Sequence, residues 1–211
     1  MIRSRYSVPV LVLALSLGAC THASQPAAGA ASPAKVAETK AVLRDLWLGH
    51  ILAIRNVAVA TMDKNVAARE AAEKGVVANA EQIAKSIEPF YGKAASDQLF
   101  TLLAGHYGAI RDHLDATAAG NSARQEAAVK ALTVNAGEIS TFLSGANPYL
   151  PKNTVMGLLA AHAAHHIQEF EQLKAGEYAE EADTWRGMKQ HIYVVADALT
   201  GALAEQFPSR F

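Results

Sequence analysis

One pattern decides the fold, and it occurs three times at intervals of 56 positions: LWLGHILAIR (46–55), LLAGHYGAIR (102–111) and, more weakly, LLAAHAAHHI (158–167). When residues 43–83 are aligned without gaps to residues 99–139, 18 of the 41 positions are identical. Similarity at a fixed period is typical of repeated supersecondary units. We therefore predict that one unit is present in three tandem copies.

Each copy is predicted to be a pair of helices. Apolar residues recur at steps of three and four along both halves of a unit, as on one face of a helix. Gly120 and Gly176 are suited to end helices, and Ser122 to cap the helix that follows. We predict an all-α fold, a six-helix antiparallel bundle built from three αα-hairpin repeats, with helices near 35–61, 65–87, 94–118, 122–144, 153–174 and 179–206.

The composition agrees with a helical protein and excludes some functions. The chain has 211 residues, of which 51% are hydrophobic and only 7% aromatic. The formal net charge is −1, so there is no basic excess to neutralise phosphates, and we expect no nucleic-acid partner. The sequence also contains no phosphate-binding loop, nucleotide fingerprint or HExxH motif.

The N-terminal segment is predicted to be a targeting signal and not part of the folded domain. Two arginines precede a short apolar stretch that ends in Leu-Gly-Ala-Cys at Cys20, the only cysteine. This segment resembles the lipobox of bacterial lipoproteins, which implies cleavage before Cys20 and a lipid on its thiol. We predict a signal peptide (1–19), a lipidated cysteine with a flexible tether (20–34) and a bundle domain (35–211). By the same resemblance, Thr21 favours the periplasmic face of the outer membrane, with the lipid anchor in the membrane.

Polar residues interrupt the apolar faces at equivalent positions of the three copies. They form three pairs, each 29 positions apart: His50 with Asn79, His106 with Asn135, and His162 with His191. The midpoint of each pair falls at the predicted turn, so the partners should face each other across their own hairpin. Buried polar groups need partners, because each unsatisfied group costs about 1–3 kcal/mol.

Two interpretations of these pairs are open. In the first, each pair is hydrogen-bonded and fixes the register of its hairpin. In the second, His50, His106 and His162 converge and bind a metal, while Asn79, Asn135 and His191 lie behind these ligands and orient them.

The third copy adds further candidate ligands. His162, His166 and Glu169 lie along one helix face, and His113 of the second copy occupies the position equivalent to Glu169. We therefore predict a divalent transition metal, Zn or Fe, with His50, His106, His162, His166, His113 and Glu169 as the candidate ligands. His165 is expected to be partly exposed, and Arg55 and Arg111 to lie on a solvated or ion-paired face.

Two sets of motifs resemble those of known families. The motifs LWxxHxxxxR, NAxEI, ANPY and QFPxxF, located here at 46–55, 135–139, 146–149 and 206–211, resemble those of a family of small bacterial helical (lipo)proteins without an established activity. Locally, HAAHHIQ at 162–168 is similar to a segment of DinB/YfiT-type metal-binding bundles. The second resemblance implies His162 and His166 as ligands, with His50 or His106 as the third.

These observations favour a binding protein over an enzyme. We expect a lipid-anchored envelope protein whose His/Asn-lined core binds a metal or a small ligand. Two alternatives remain open: a DinB-like three-His metal-dependent hydrolase or thiol transferase, and a structural or interaction lipoprotein with a hydrogen-bonded core.

Overall fold

The structure is a computed structural model, and it describes residues 29–211. The predicted signal peptide, Cys20 and the tether up to residue 28 lie outside the described residues. The first helix begins at Pro33, two residues before the predicted start. Proline is well suited to this place, because an N–H in the first helical turn has no partner within the helix.

The described part of the chain forms an all-α bundle, as predicted. It comprises α1 (Pro33–Met62), α2 (Val66–Ser86), the short α3 (Glu88–Tyr91), α4 (Lys93–Ala119), α5 (Ser122–Ala146), α6 (Lys152–Ala175), α7 (Tyr178–Gln206) and a 3₁₀ turn at Pro208–Arg210. The six long helices match the predicted ones to within two residues at each end. None of the helices within 29–211 is long and apolar enough to cross a membrane.

Short turns join the members of each helix pair. Gly120 ends α4 in the left-handed conformation, with a φ of 67°, as its predicted role requires. The predicted cap at Ser122 is wrong, because Asn121 caps α5 by accepting a hydrogen bond from the Arg124 N–H at 3.0 Å. The side chain of Asn65, at the corresponding turn before α2, caps that helix in the same way.

The packing places three helices at the centre. α1 packs against α2, α4 against α5, and α6 against α7, while further contacts of α2 with α4, α5 with α6, and α7 with α1 close a ring. α1, α4 and α6 also contact one another. The side chains that these three helices direct towards each other therefore meet in the interior of the bundle.

One end of the bundle is closed by aromatic and amide side chains. The Phe90 ring stacks on the ring of the C-terminal Phe211, with centroids 5.7 Å apart. The Tyr91 hydroxyl donates to Gln206 at 2.7 Å and accepts from the Asn147 amide at 2.9 Å. The segments PFY (89–91), ANPY (146–149) and QFPxxF (206–211) are far apart along the chain and meet at this end.

Candidate metal centre

Four histidines of the central helices lie in one buried layer. His50 is on α1, His106 on α4, and His162 and His166 are one turn apart on α6. All four are at most 6% exposed. One ring nitrogen each of His50, His162 and His166 lies within 4.8 Å of the other two. We call these three residues the histidine triad.

His162 is at the middle of the layer. Its ring centroid lies 4.6 Å from that of His166, 5.4 Å from that of His50 and 6.0 Å from that of His106. Neither ring nitrogen of His162 has a hydrogen-bond partner among residues 29–211. The metal hypothesis from sequence placed His50, His106 and His162 together; the structure instead gives His166 the third place in the closest group.

A buried carboxylate orients His166. The Glu169 Oε2 lies 3.3 Å from the His166 Nδ1, and both side chains are fully buried. When Glu169 is ionised it accepts a hydrogen bond from the Nδ1–H of His166, so the ring proton stays on Nδ1 and Nε2 carries a lone pair. That Nε2 has no partner within the described chain. Histidines that bind metals commonly donate their other ring N–H to a carboxylate in this way. Glu169, a predicted ligand, therefore occupies a supporting position.

Behind Glu169 lies an ion pair of Arg55, whose partner the sequence did not identify. Arg55 donates two hydrogen bonds to the buried Glu181, at 2.7 and 2.8 Å, and its Nε lies 3.7 Å from the Glu169 Oε1. The Trp185 ring covers the guanidinium at 5.5 Å. Arg55 is thus ion-paired, which was one of the two predicted alternatives, and this one cation faces two buried carboxyl groups.

His106 is held by its predicted partner. The Asn135 amide donates to the Leu102 carbonyl at 3.1 Å, which leaves its Oδ1 as an acceptor 3.1 Å from the His106 Nδ1. The proton of the neutral ring is therefore on Nδ1, and Nε2 carries a lone pair. This Nε2 has no partner in residues 29–211.

The other two predicted pairs do not form. No hydrogen bond joins His50 to Asn79 or His162 to His191 in the part of the chain that the structure describes. Asn79 and His191 instead donate to main-chain carbonyls 33 residues earlier, at 3.0 and 2.9 Å, as Asn135 also does. Asn79 and His191 therefore only brace the helix pairs, and none of the three residues predicted to orient the ligands makes a hydrogen bond to a triad ring in the described chain.

Two further histidines lie outside the layer. His113 is buried beside Phe170 and Thr117, with its Nδ1 3.4 Å from the threonine hydroxyl. It belongs to no group of three metal-ligating residues within 29–211. His165 is partly exposed, as expected, and its ring lies 5.6 Å from that of His191.

Burial keeps the imidazoles neutral. It lowers the pKa of His106 to about 4 and that of His166 to about 3, and the charges of neighbouring histidines add to the effect. Burial likewise holds the pKa values of His50 and His162 well below 6.5. Neutral imidazole is the form that binds metal ions. Burial also raises the pKa of Glu169 to about 8, reinforced by Glu181 and opposed by Arg55.

The cluster passes a simple test of fit to a metal ion. Nitrogens bound tetrahedrally at about 2.0–2.1 Å from zinc lie about 3.3 Å from one another. The triad atoms, at up to 4.8 Å, would need to approach by about 1.5 Å, which is within the reach of side-chain rotation. Several buried nitrogens lack other partners, so a cation would satisfy groups that are otherwise costly to bury.

A cavity of about 70 Å³ adjoins the layer. His50, His106 and His162 form part of its wall. On α1, α4 and α6, the other lining residues precede these histidines in the chain. On α2, α5 and α7, the lining residues lie towards the C-terminus of each helix, and they include Ile83, Leu143, Leu199 and Leu203. The cavity therefore extends from the histidines towards the closed end of the bundle, whereas Glu169, Arg55 and Glu181 lie on the opposite side.

Comparison of the chain with models of protein families, with curated proteins and with solved structures finds no match in any of the three. The two resemblances noted in the sequence therefore stay predictions.

Proposed function

We propose that the protein binds a divalent transition metal, Zn or Fe, through His50, His162 and His166. The observation that carries the proposal is that three neutral imidazoles, fully or nearly buried, lie close together. In addition, Glu169 contacts the His166 Nδ1, and the Nε2 of the same ring has no partner in the described chain. Three histidines are a known ligand set for zinc with one open position. The two carboxyl groups behind the site face a single arginine, and a metal ion would balance their charge.

Elemental analysis of the purified protein tests this proposal. We expect about one metal ion per chain in the wild type, and loss of that metal in His166→Ala. The matched control is His165→Ala, which removes the same side chain from the adjacent, partly exposed position and should keep the metal. Wild-type protein that retains no metal after exposure to Zn²⁺ or Fe²⁺ and gel filtration would defeat the proposal.

We further propose that the three helix pairs are copies of one ancestral unit. Three hydrogen bonds support this: Asn79, Asn135 and His191 each donate to a main-chain carbonyl 33 residues earlier, and the acceptors Leu46, Leu102 and Leu158 are themselves equivalent positions of the sequence repeat. Superposition of the three pairs in an experimental structure tests it. Helix pairs that cross at unrelated angles would contradict it.

A metal-dependent enzyme is the second candidate, and the cavity favours it. His50 and His162 line the cavity, so an open coordination position between them would face a space that a substrate could enter. The visible spectrum of the Co²⁺-substituted protein should then change when imidazole is added. A spectrum that responds only after His106→Ala would mean that His106 is a fourth ligand and that the site is closed.

The structural alternative, a core in which every histidine is hydrogen-bonded to its partner, has less support, since only the His106–Asn135 pair is formed.

A lipid anchor on Cys20 at the outer membrane remains part of the proposal, and it rests on the sequence alone. The Cys20→Ala variant should no longer be found in the membrane fraction, although its bundle should still fold. Unchanged processing and fractionation of that variant would contradict the anchor.

A further inference from the structure

The cavity beside the histidines is built almost wholly of apolar side chains. Leucine, isoleucine, valine, phenylalanine and tryptophan side chains make up most of its wall, and among residues 29–211 no Lys, Arg, Asp or Glu lines it. We call this space the apolar chamber. It lies against the face of the histidine layer formed by His50, His106 and His162.

The polar groups at the far end of the chamber are already occupied. The Ser86 hydroxyl donates to the Ile83 carbonyl, and the Asn147 amide donates to the Tyr91 hydroxyl and to the Ala202 carbonyl. By contrast, the His106 Nε2 and both nitrogens of His162 are buried without partners in the described chain. The Trp47 Nε1 also lacks a partner there, and its ring lies 5.7 Å from that of His50, so the unused polar atoms of the chamber-lining residues are at the histidine end.

These features decide what the chamber can hold. A charged molecule would lose its hydration and find no opposite charge on the wall, which is strongly unfavourable. An engineered apolar cavity of roughly 150 Å³ binds benzene or xenon, and the chamber has about half that volume. The space therefore suits a molecule of only a few non-hydrogen atoms.

We infer that the apolar chamber binds a small, uncharged, largely apolar molecule and presents it to His50, His106 and His162. Binding of the molecule in the chamber requires only the packing of the helices and no metal ion. The presentation of that molecule to a metal ion rests, in addition, on the proposed function.

Xenon is a direct probe of this inference. In the metal-free protein, xenon under pressure should shift the methyl resonances of chamber residues such as Leu103, Val155 and Leu159 in a saturable way. Methyl groups of the separate core near Phe170, such as those of Val57 and Leu114, should not shift. Azide, a charged probe of similar size, should leave the chamber methyls of the metal-free protein unchanged. Absence of xenon shifts, or binding of azide there, would overturn the inference.

Two variants locate the bound atom. Val155→Phe places a larger side chain in the chamber wall and should abolish the saturable shifts at Leu103 and Leu159. Val76→Phe makes the same change at a buried site outside the chamber and should keep them. If Val155→Phe fails to fold, Val155→Ile should weaken xenon binding several-fold; unchanged binding in a folded variant would contradict the location.

The same titration in the Zn²⁺-loaded protein separates the two proposals. Xenon shifts in protein that binds no zinc would uphold the chamber and defeat the metal site. Zinc binding without xenon shifts would uphold the metal site and defeat the chamber.

Discussion

Replacement of Glu169 by glutamine should weaken metal binding while leaving the metal-free protein intact. The carboxylate is fully buried and lies 3.3 Å from the His166 Nδ1, across the ring from the unpartnered Nε2. Loss of such an outer partner usually lowers metal affinity about 10- to 100-fold, which corresponds to about 1.4–2.7 kcal/mol. The expected change is therefore large enough to measure and too small to be confused with the loss of a ligand.

The metal-free protein should respond in the opposite direction. Burial raises the Glu169 pKa from 4.5 to about 8, so ionisation is easier in the unfolded chain than in the folded one. As the pH rises from 4.5 to about 8, wild type therefore loses up to about 1.4 kcal/mol of stability per pH unit through this group. Glutamine does not titrate, so the metal-free variant should gain stability relative to wild type as the pH rises towards 8.

Two assays read out these effects. Competition with a chromophoric chelator gives the metal affinity, and urea unfolding of the chelator-treated protein gives the free energy of unfolding. Glu171→Gln is the matched control, since Glu171 is an exposed residue two positions further along α6. Equal metal affinities for the Glu169 and Glu171 variants would refute the supporting role of Glu169. If the stability of metal-free Glu169→Gln relative to wild type does not increase as the pH rises from 4.5 to about 8, the assignment of a raised pKa is wrong.

Three further outcomes are expected of the metal-free protein. Burial lowers the pKa of the four clustered histidines below 6.5, to about 4 for His106, and their joint effect exceeds the opposite effect of the single Glu169 carboxyl group. The free energy of unfolding should therefore decrease as the pH falls from 6.5 to about 4, and a flat urea-unfolding profile would contradict this. A Cβ on Gly105 would come within 3.3 Å of the Asn135 amide, whereas one on Gly108 meets nothing within 4 Å. Thermal unfolding should therefore show Gly108→Ala stabilising by about 0.5–1 kcal/mol and Gly105→Ala less, and equal gains would contradict the close approach. Asn135 makes two side-chain hydrogen bonds and Asn79 one, so Asn135→Ala should lower the free energy of unfolding by about 1 kcal/mol more than Asn79→Ala, unless the His106 contact is absent.

The all-α fold was predictable because its signals are local. Apolar residues at helical spacing, together with glycine and asparagine at the turns, locate the helices within two residues. The error at Ser122 has a simple cause: Asn121 precedes it and is an equally good cap, and sequence alone does not separate the two.

The candidate site was only partly predictable. The period of the sequence repeat aligned His50, His106 and His162, but it could not show that His166, one turn further on, lies nearer to the other two than His106 does. Asn135 holds the His106 ring through Nδ1, a contact that the sequence predicted.

The pairing of Arg55 with Glu181 could not be predicted at all. The two residues are 126 positions apart and lie on different helices, so their contact depends on how α1 packs against α7. An arginine five residues after a histidine resembles any exposed charge until that packing is known. Glu181 lies in the first turn of α7 and is buried, whereas Glu180 and Tyr178 nearby are exposed. Nothing in the sequence distinguishes the buried glutamate from the exposed one.

X-ray absorption spectroscopy of the Zn²⁺-loaded protein tests the central claim most directly. If the triad binds the ion, the spectrum should show three imidazole nitrogens at about 2.0–2.1 Å, and His166→Ala should remove one of them. A shell made of oxygen atoms alone, without imidazole scattering, would contradict the claim.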